Sequence, residues 1–231
     1  MRNEIISIIS EGLEDQGVLI SILKAFGFDR SEIRLIRPGL SKDENDLHND
    51  LQTIGTFQGV KNSCVGKNNK RPDFEKALFF HNCNTIVIQL NTAEIEEHDF
   101  PFIKPQKQGN LNYSTELREK VILLINSWLD NNYTDNILYA IAIEEIEAWC
   151  LTIFEEDTVN SANPKTKLHR YLNRNDLTYR KLKLNQSKHK CEYFETFTKK
   201  KGFHKIKKLK QFAEQNQSLD DFLISVKQRF N

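Results

Sequence analysis

Thr85–Leu90 reads TIVIQL, the strongest strand signal in the chain: β-branched, apolar, and flanked by polar residues. Two further runs read as buried strands, Glu4–Ser10 (EIISIIS) and Ile137–Ile143 (ILYAIAI), and Ile33–Arg37 reads as a short one closed by Pro38-Gly39. Helical spacing fills the intervals. Asp15 to Phe26 places Val18, Leu19, Ile22, Leu23 and Phe26 on one face, with Gly27 as the stop. Asp73 to His81 and Glu144 to Phe154 read as helices. So does Thr115 to Leu129, with Leu117, Val121, Leu124, Ile125 and Trp128 at helical spacing. Residues 39–72 and 99–113 read as loops. Strand and helix in alternation predict an α/β fold: a mainly parallel sheet flanked by helices.

Beyond about residue 160 the strand signals stop. Lys-rich helical segments follow at about 165–172, 190–200, 203–215 and 219–229, with Ser218 placed to cap the last. The expected organisation is an α/β domain over 1–160 and a basic helical C-terminal region over 161–231.

Charge divides the same way. Residues 165–231 hold 18 Lys+Arg against 6 Asp+Glu; the first 164 residues hold 15 against 26. An acidic front suits a carboxylate metal site, and a basic back suits a polyanion. The composition, 39% hydrophobic and 28% charged, is that of a folded chain with an ordinary core. No apolar run approaches the roughly 18 residues needed to span a bilayer. The first residues lack a signal-peptide pattern, so a cytoplasmic location and no membrane partner are expected. Cys64, Cys83, Cys150 and Cys191 are scattered and predict neither disulfides nor a zinc site. The absence of a GxxxxGK[ST] motif excludes a P-loop.

In a parallel sheet, ligands bind beyond the carboxyl ends of the strands. After the first strand come Glu11 and Gly12. After TIVIQL come Asn91, Thr92, Ala93, Glu94, Glu96 and Glu97. After ILYAIAI come Glu144, Glu145 and Glu147. Three acidic strand ends on one rim would suit a hard cation that bridges to substrate phosphates. The alternative for any single Glu is a carboxylate stabilising a helix N-terminus. Lys165 and Lys167 follow the third acidic stretch, where a lysine can reach a phosphate or simply face water. The six histidines show no metal-ligand spacing and read as structural or surface residues. Aromatics among the C-terminal lysines read mostly as core. The densest cationic run, with Lys205, Lys207, Lys208 and Lys210, is the expected nucleic-acid contact.

Three segments resemble the Toprim superfamily of Mg²⁺-dependent nucleic-acid enzymes. IISIISEGLEDQGVLISIL looks like its glutamate motif, and TIVIQLNTAEIEEHDF like its DxD motif. AIAIEEIEAWCL resembles the third acidic region of small standalone Toprim-like proteins of bacterial anti-phage systems, similar to the overcoming-lysogenization-defect nucleases. The resemblance covers roughly residues 1–160. It implies a Mg²⁺-dependent (or Mn²⁺-dependent) nuclease acting on DNA or RNA as a defence effector with a separate ATPase partner. Glu11 would be general acid/base or metal-linked, positions 91 and 93 would hold the metal, Glu145 and Glu147 would serve a second metal or water, and Lys165 would contact phosphate. The chain departs from the pattern at the centre, with Asn91 and Ala93 where the family would have two aspartates. Either the site is degenerate, leaving a nucleic-acid-binding or regulatory subunit without catalysis, or these are inactivating changes.

Overall fold

The computed structural model describes residues 4–39, 56–65, 72–80, 83–93, 95, 100–154, 163–184 and 189–230. Four strands, β1 (Ile5–Ile9), β2 (Ile33–Arg37), β3 (Cys83–Asn91) and β4 (Ile137–Ala142), form one wholly parallel sheet in the order β2-β1-β3-β4. The α/β architecture is therefore as expected. Ten α-helices are described: α1 (Leu13–Ala25), α2 (Phe57–Val65), α3 (Asp73–Phe80), α4 (Tyr113–Trp128), α5 (Glu147–Leu151), α6 (Pro164–Asn175), α7 (Leu177–Leu184), α8 (Lys190–Lys201), α9 (Ile206–Ala213) and α10 (Gln217–Phe230).

The strands are apolar on both faces because both are covered. Ile6, Ile8, Val87, Leu138, Ala140 and Ala142 face a core shared with α1, α5, α6 and α8–α10. Ile9, Ile86, Ile88, Leu90, Ile137 and Ile141 face a second core with α2, α3 and α4. The change of pattern near residue 160 is thus not a break in packing: Phe194, Phe203 and Phe222 bury themselves in the same core as β1 and β4.

Helix α1 lies between the sheet and α8 and is buried from Asp15 through Leu23. Gly17 permits the close approach. A Cβ there would stand 2.3 Å from the Cys191 carbonyl oxygen and 2.7 Å from the Glu195 nitrogen, both α8 backbone atoms. Ser21 Oγ donates to the Glu195 carbonyl (3.0 Å) and accepts from Thr198 Oγ1 (2.8 Å), which fixes the register of the two helices. Trp149 is fully buried, stacked on Phe222 at 5.6 Å, and its Nε1 donates to Ser218 Oγ (2.8 Å), tying α5 to α10.

Several sequence expectations are corrected. Helix α2 falls inside the stretch expected to be loop, and α7 was not expected; residues 40–55 of that loop lie outside the described residues. The helix expected to start at Glu144 starts at Glu147, because Glu144 takes a left-handed conformation (φ 65°) that ends the strand in a turn. Ser218 does not cap α10. Asn216 does, its Oδ1 accepting the Leu219 N–H (3.0 Å), while Ser218 serves Trp149. Trp149 is fully buried, and Trp128 packs half-buried against Phe57 at the edge of the second core. All four cysteines are buried free thiols, and burial pushes Cys64 and Cys191 up to about 12. No helix among the described residues is long and apolar enough to cross a membrane.

Candidate functional site

A cavity of about 280 Å³ opens beyond the carboxyl ends of β1, β3 and β4. Glu11, Asn91, Ala93, Glu145, Glu147 and Lys165, the residues singled out from the sequence as catalytic or metal-binding, all line it. So do Glu14, Asp15, His169 and Lys190, which the sequence reading had not selected. The cavity has two corners of different character.

The first corner joins β1 to β3 and β4. Glu11 Oε2 accepts both the backbone N–H of Asn91 (3.1 Å) and the Asn91 side-chain amide. Asn91 Oδ1 accepts Gln89 Nε2 (3.0 Å) and the Ile146 N–H (2.9 Å), and Gln89 Oε1 accepts the Glu11 N–H (3.0 Å). The amide of Asn91 thus bridges three strand ends. Next to it, the Ala93 N–H donates to the Glu144 carbonyl (2.8 Å), and Thr92 Oγ1 accepts the Glu144 N–H (2.7 Å). These hydrogen bonds pin the two chain segments together.

This corner does not fit the metal that the resemblance implies. Asn91 aims a hydrogen-bond donor at Glu11, where a cation shared by two carboxylates would need oxygens. Its own oxygen already accepts two N–H groups, and Ala93 offers no side-chain ligand.

The second corner lies between α1, α5, α6 and α8. Gly12 starts α1 in extended backbone, and Asp15 Oδ2 folds back to accept the Gly12 N–H (2.7 Å). One turn of α1 therefore carries Glu14 and Asp15 inward. Glu147, in the first turn of α5, is 3% exposed, and among the described residues no group donates it a hydrogen bond. His169 Nε2 stands 3.5 Å from Glu14 Oε2 and 3.6 Å from Glu147 Oε1, buried and without a hydrogen-bond partner. Lys190, brought in by the tight α1–α8 packing, places Nζ 3.0 Å from Glu14 Oε1. One ligand atom from each of Glu14, Glu147 and His169 lies within 4.8 Å of the others. Two carboxylates and an imidazole converging at that distance fit a divalent cation.

The electrostatics of the second corner are unbalanced. Burial raises the Glu147 carboxyl well above its ordinary value, and the Asp15 charge adds to the rise. Burial likewise raises Asp15, with help from Glu11 and Glu14. Glu14 goes the other way. Burial pushes it up, but His169 and Lys190 outweigh that and hold it at about 2. For Lys165, burial favours loss of the proton, yet Glu147, Glu14 and Glu145 together raise its pKa.

Other predicted residues serve different ends. Glu145 lines the cavity, and its Oε2 accepts the Lys165 N–H (2.8 Å) at the start of α6. Glu144 turns outward to Lys107 (3.0 Å), Lys104 (3.7 Å) and Tyr113. Lys205, Lys207, Lys208 and Lys210 are exposed at and before α9, and none of them lines the cavity. Glu94, Glu96 and Glu97 lie outside the described residues. His169, read from the sequence as structural or surface, stands between two carboxylates. Its one available signal was position: it lies four residues after Lys165, on the same helix face. No protein-family model, curated protein or solved structure matches the chain.

Proposed function

We propose that this cavity hydrolyses phosphodiester bonds in nucleic acid with a divalent cation, held by Glu14, Glu147 and His169 rather than at positions 91 and 93. The observation that carries the reading is the second corner: two carboxylates and an imidazole within 4.8 Å of one another, beside two lysines, at the carboxyl end of a parallel sheet. When bound there, Mg²⁺ or Mn²⁺ supplies charge neutralisation at the phosphate and acidifies a water. Lys165 and Lys190 hold the non-bridging phosphate oxygens, which need cationic donors as charge shifts toward the leaving oxygen. Glu11 is kept in one orientation by its two donors from Asn91 and accepts the proton of the attacking water. Asp15 positions the loop at Gly12 and so sets where Glu11 and Glu14 point.

A second reading has its own observation. Asn91 is built into the fold by its hydrogen bonds and Ala93 carries no ligand, which favours a protein that holds nucleic acid without cutting it. A cleavage assay on plasmid DNA and total tRNA with Mg²⁺ or Mn²⁺ separates the two. Cleavage by the chain as it stands, abolished by Glu147→Gln, supports hydrolysis. Binding of the same substrates with no cleavage under any metal replaces hydrolysis with the binding reading.

A further inference from the structure

We infer that the exposed face of α6 is a track for the phosphate backbone of a nucleic-acid strand, leading into the cavity; this rests on the reading that the cavity acts on nucleic acid. Helix α6 contains Lys165, Lys167, Arg170 and Arg174 and no acidic residue. A depression over it is lined by two adjacent rows at one-turn spacing, Lys165–His169–Asn173 and Thr166–Arg170–Arg174. Lys165 and His169 also line the cavity, so the two surfaces are continuous.

Most other cations beside the acidic groups are already engaged. Lys24 is paired with Glu195, Lys104 and Lys107 with Glu144, and Lys190 with Glu14. Arg170 and Arg174 are exposed and have no ion pair among the described residues. Two like charges one turn apart work against a helix unless an anion lies across them. Guanidinium groups present paired N–H donors that match phosphate oxygens. Successive turns of a helix stand about 5.4 Å apart. The rows therefore offer repeated phosphate contacts, as a strand requires, where a small phosphorylated molecule would use only the Lys165 end. The lysines of α9, the densest cationic run in the sequence, line neither the cavity nor this depression.

The test compares the two basic surfaces in the full chain. Fluorescence anisotropy of a labelled single-stranded oligonucleotide, in EDTA so that nothing is cut, is measured for the unaltered chain, for Arg170→Gln with Arg174→Gln, and for Lys207→Gln with Lys208→Gln. The α6 pair is expected to weaken binding about tenfold and to reduce the slope of log Kd against log salt by about two. The α9 pair should stay within about twofold of the unaltered chain. All four changed positions are exposed, and unchanged thermal unfolding verifies the fold. Unchanged affinity in the α6 pair, the full loss in the α9 pair, or no binding by the unaltered chain each overturns the track. Selective capture of an acidic peptide in place of the oligonucleotide also overturns it. The two readings fail separately. Loss of binding in the α6 pair with no cleavage by the unaltered chain keeps the track and removes hydrolysis. Cleavage with unaltered α6 affinity does the reverse.

Discussion

The two corners of the cavity are built from similar residues and are in opposite states. At Glu11 and Asn91 the facing groups answer one another: an amide meets a carboxylate oxygen, and its own oxygen meets two N–H donors. At Glu14, Glu147 and His169, a carboxylate buried to 3% exposure receives no hydrogen bond among the described residues, and a buried imidazole nitrogen stands 3.5 and 3.6 Å from two carboxylates without a hydrogen bond to either. Burying an ionised carboxylate without donors is costly, so folds retain such groups where something else completes them. The first corner holds the sheet's end together. The second has work left for a ligand.

The largest expected effect breaks the second corner. Glu147→Gln removes a charged ligand and should reduce metal-dependent cleavage by about 100-fold or more, checked with plasmid and tRNA substrates. Next comes His169→Ala, which should weaken Mn²⁺ binding by about tenfold or more, read directly by calorimetry without substrate. His169→Asp sharpens the point. Replacing the imidazole of the proposed cation site by a carboxylate should shift preference from Zn²⁺ or Mn²⁺ toward Mg²⁺. If neither substitution alters metal binding, the cation is not held at this corner.

The first corner gives a smaller effect of the opposite kind. Asn91→Asp places a carboxylate against Glu11 and should cost about 1–3 kcal/mol in EDTA, seen as a lower Tm. Joined with Ala93→Asp, it creates the carboxylate set that the Toprim resemblance implies. Mg²⁺ should then raise the Tm of the double variant by more than it raises that of the unaltered chain. Equal Mg²⁺ effects would mean that the corner is structural even with its aspartates supplied.

How far the sequence announced these corners follows from the physics of each signal. The strands were legible because sheet burial on both faces leaves continuous apolar runs, and β2 matches its expected bounds at Ile33–Arg37. Helix α2 (FQGVKNSCV) was not, because Gly59, Asn62 and Ser63 are poor helix formers; Phe57, Val60 and Cys64 entering the core decide the matter. The rim residues Glu11, Asn91, Glu145 and Glu147 could be found by their place after strands. Glu14 carried no signal of its own, since it falls between the Glu11-Gly12 strand end and the helix expected from Asp15. His169 and Lys190 arrive from α6 and α8, whose approach depends on packing such as that at Gly17. No local pattern encodes that convergence.

The smallest effect lies in the pH dependence of stability, and it tests the imbalance of the second corner without substrate or metal. Glu147 is raised above its ordinary value of 4.5, so the folded chain keeps a proton that the unfolded chain releases. Its effect on stability is favourable at low pH and is lost as pH rises from about 4.5 through the raised folded value. Glu14 is lowered from 4.5 to about 2, so its contribution is fully present above about 4.5 and is lost as pH falls through about 2. Glu147→Gln should therefore flatten the curve on the neutral side and leave the chain in EDTA more stable near pH 7, by about 0.5–2 kcal/mol. Glu14→Gln should flatten the acid side and make the chain less stable near pH 7. Urea unfolding between about pH 2 and 8 measures both. Opposite slopes from two carboxylates that share one imidazole are the signature of a site built to be completed. Parallel slopes would place Glu147 in an ordinary, satisfied environment and would undo the contrast between the corners.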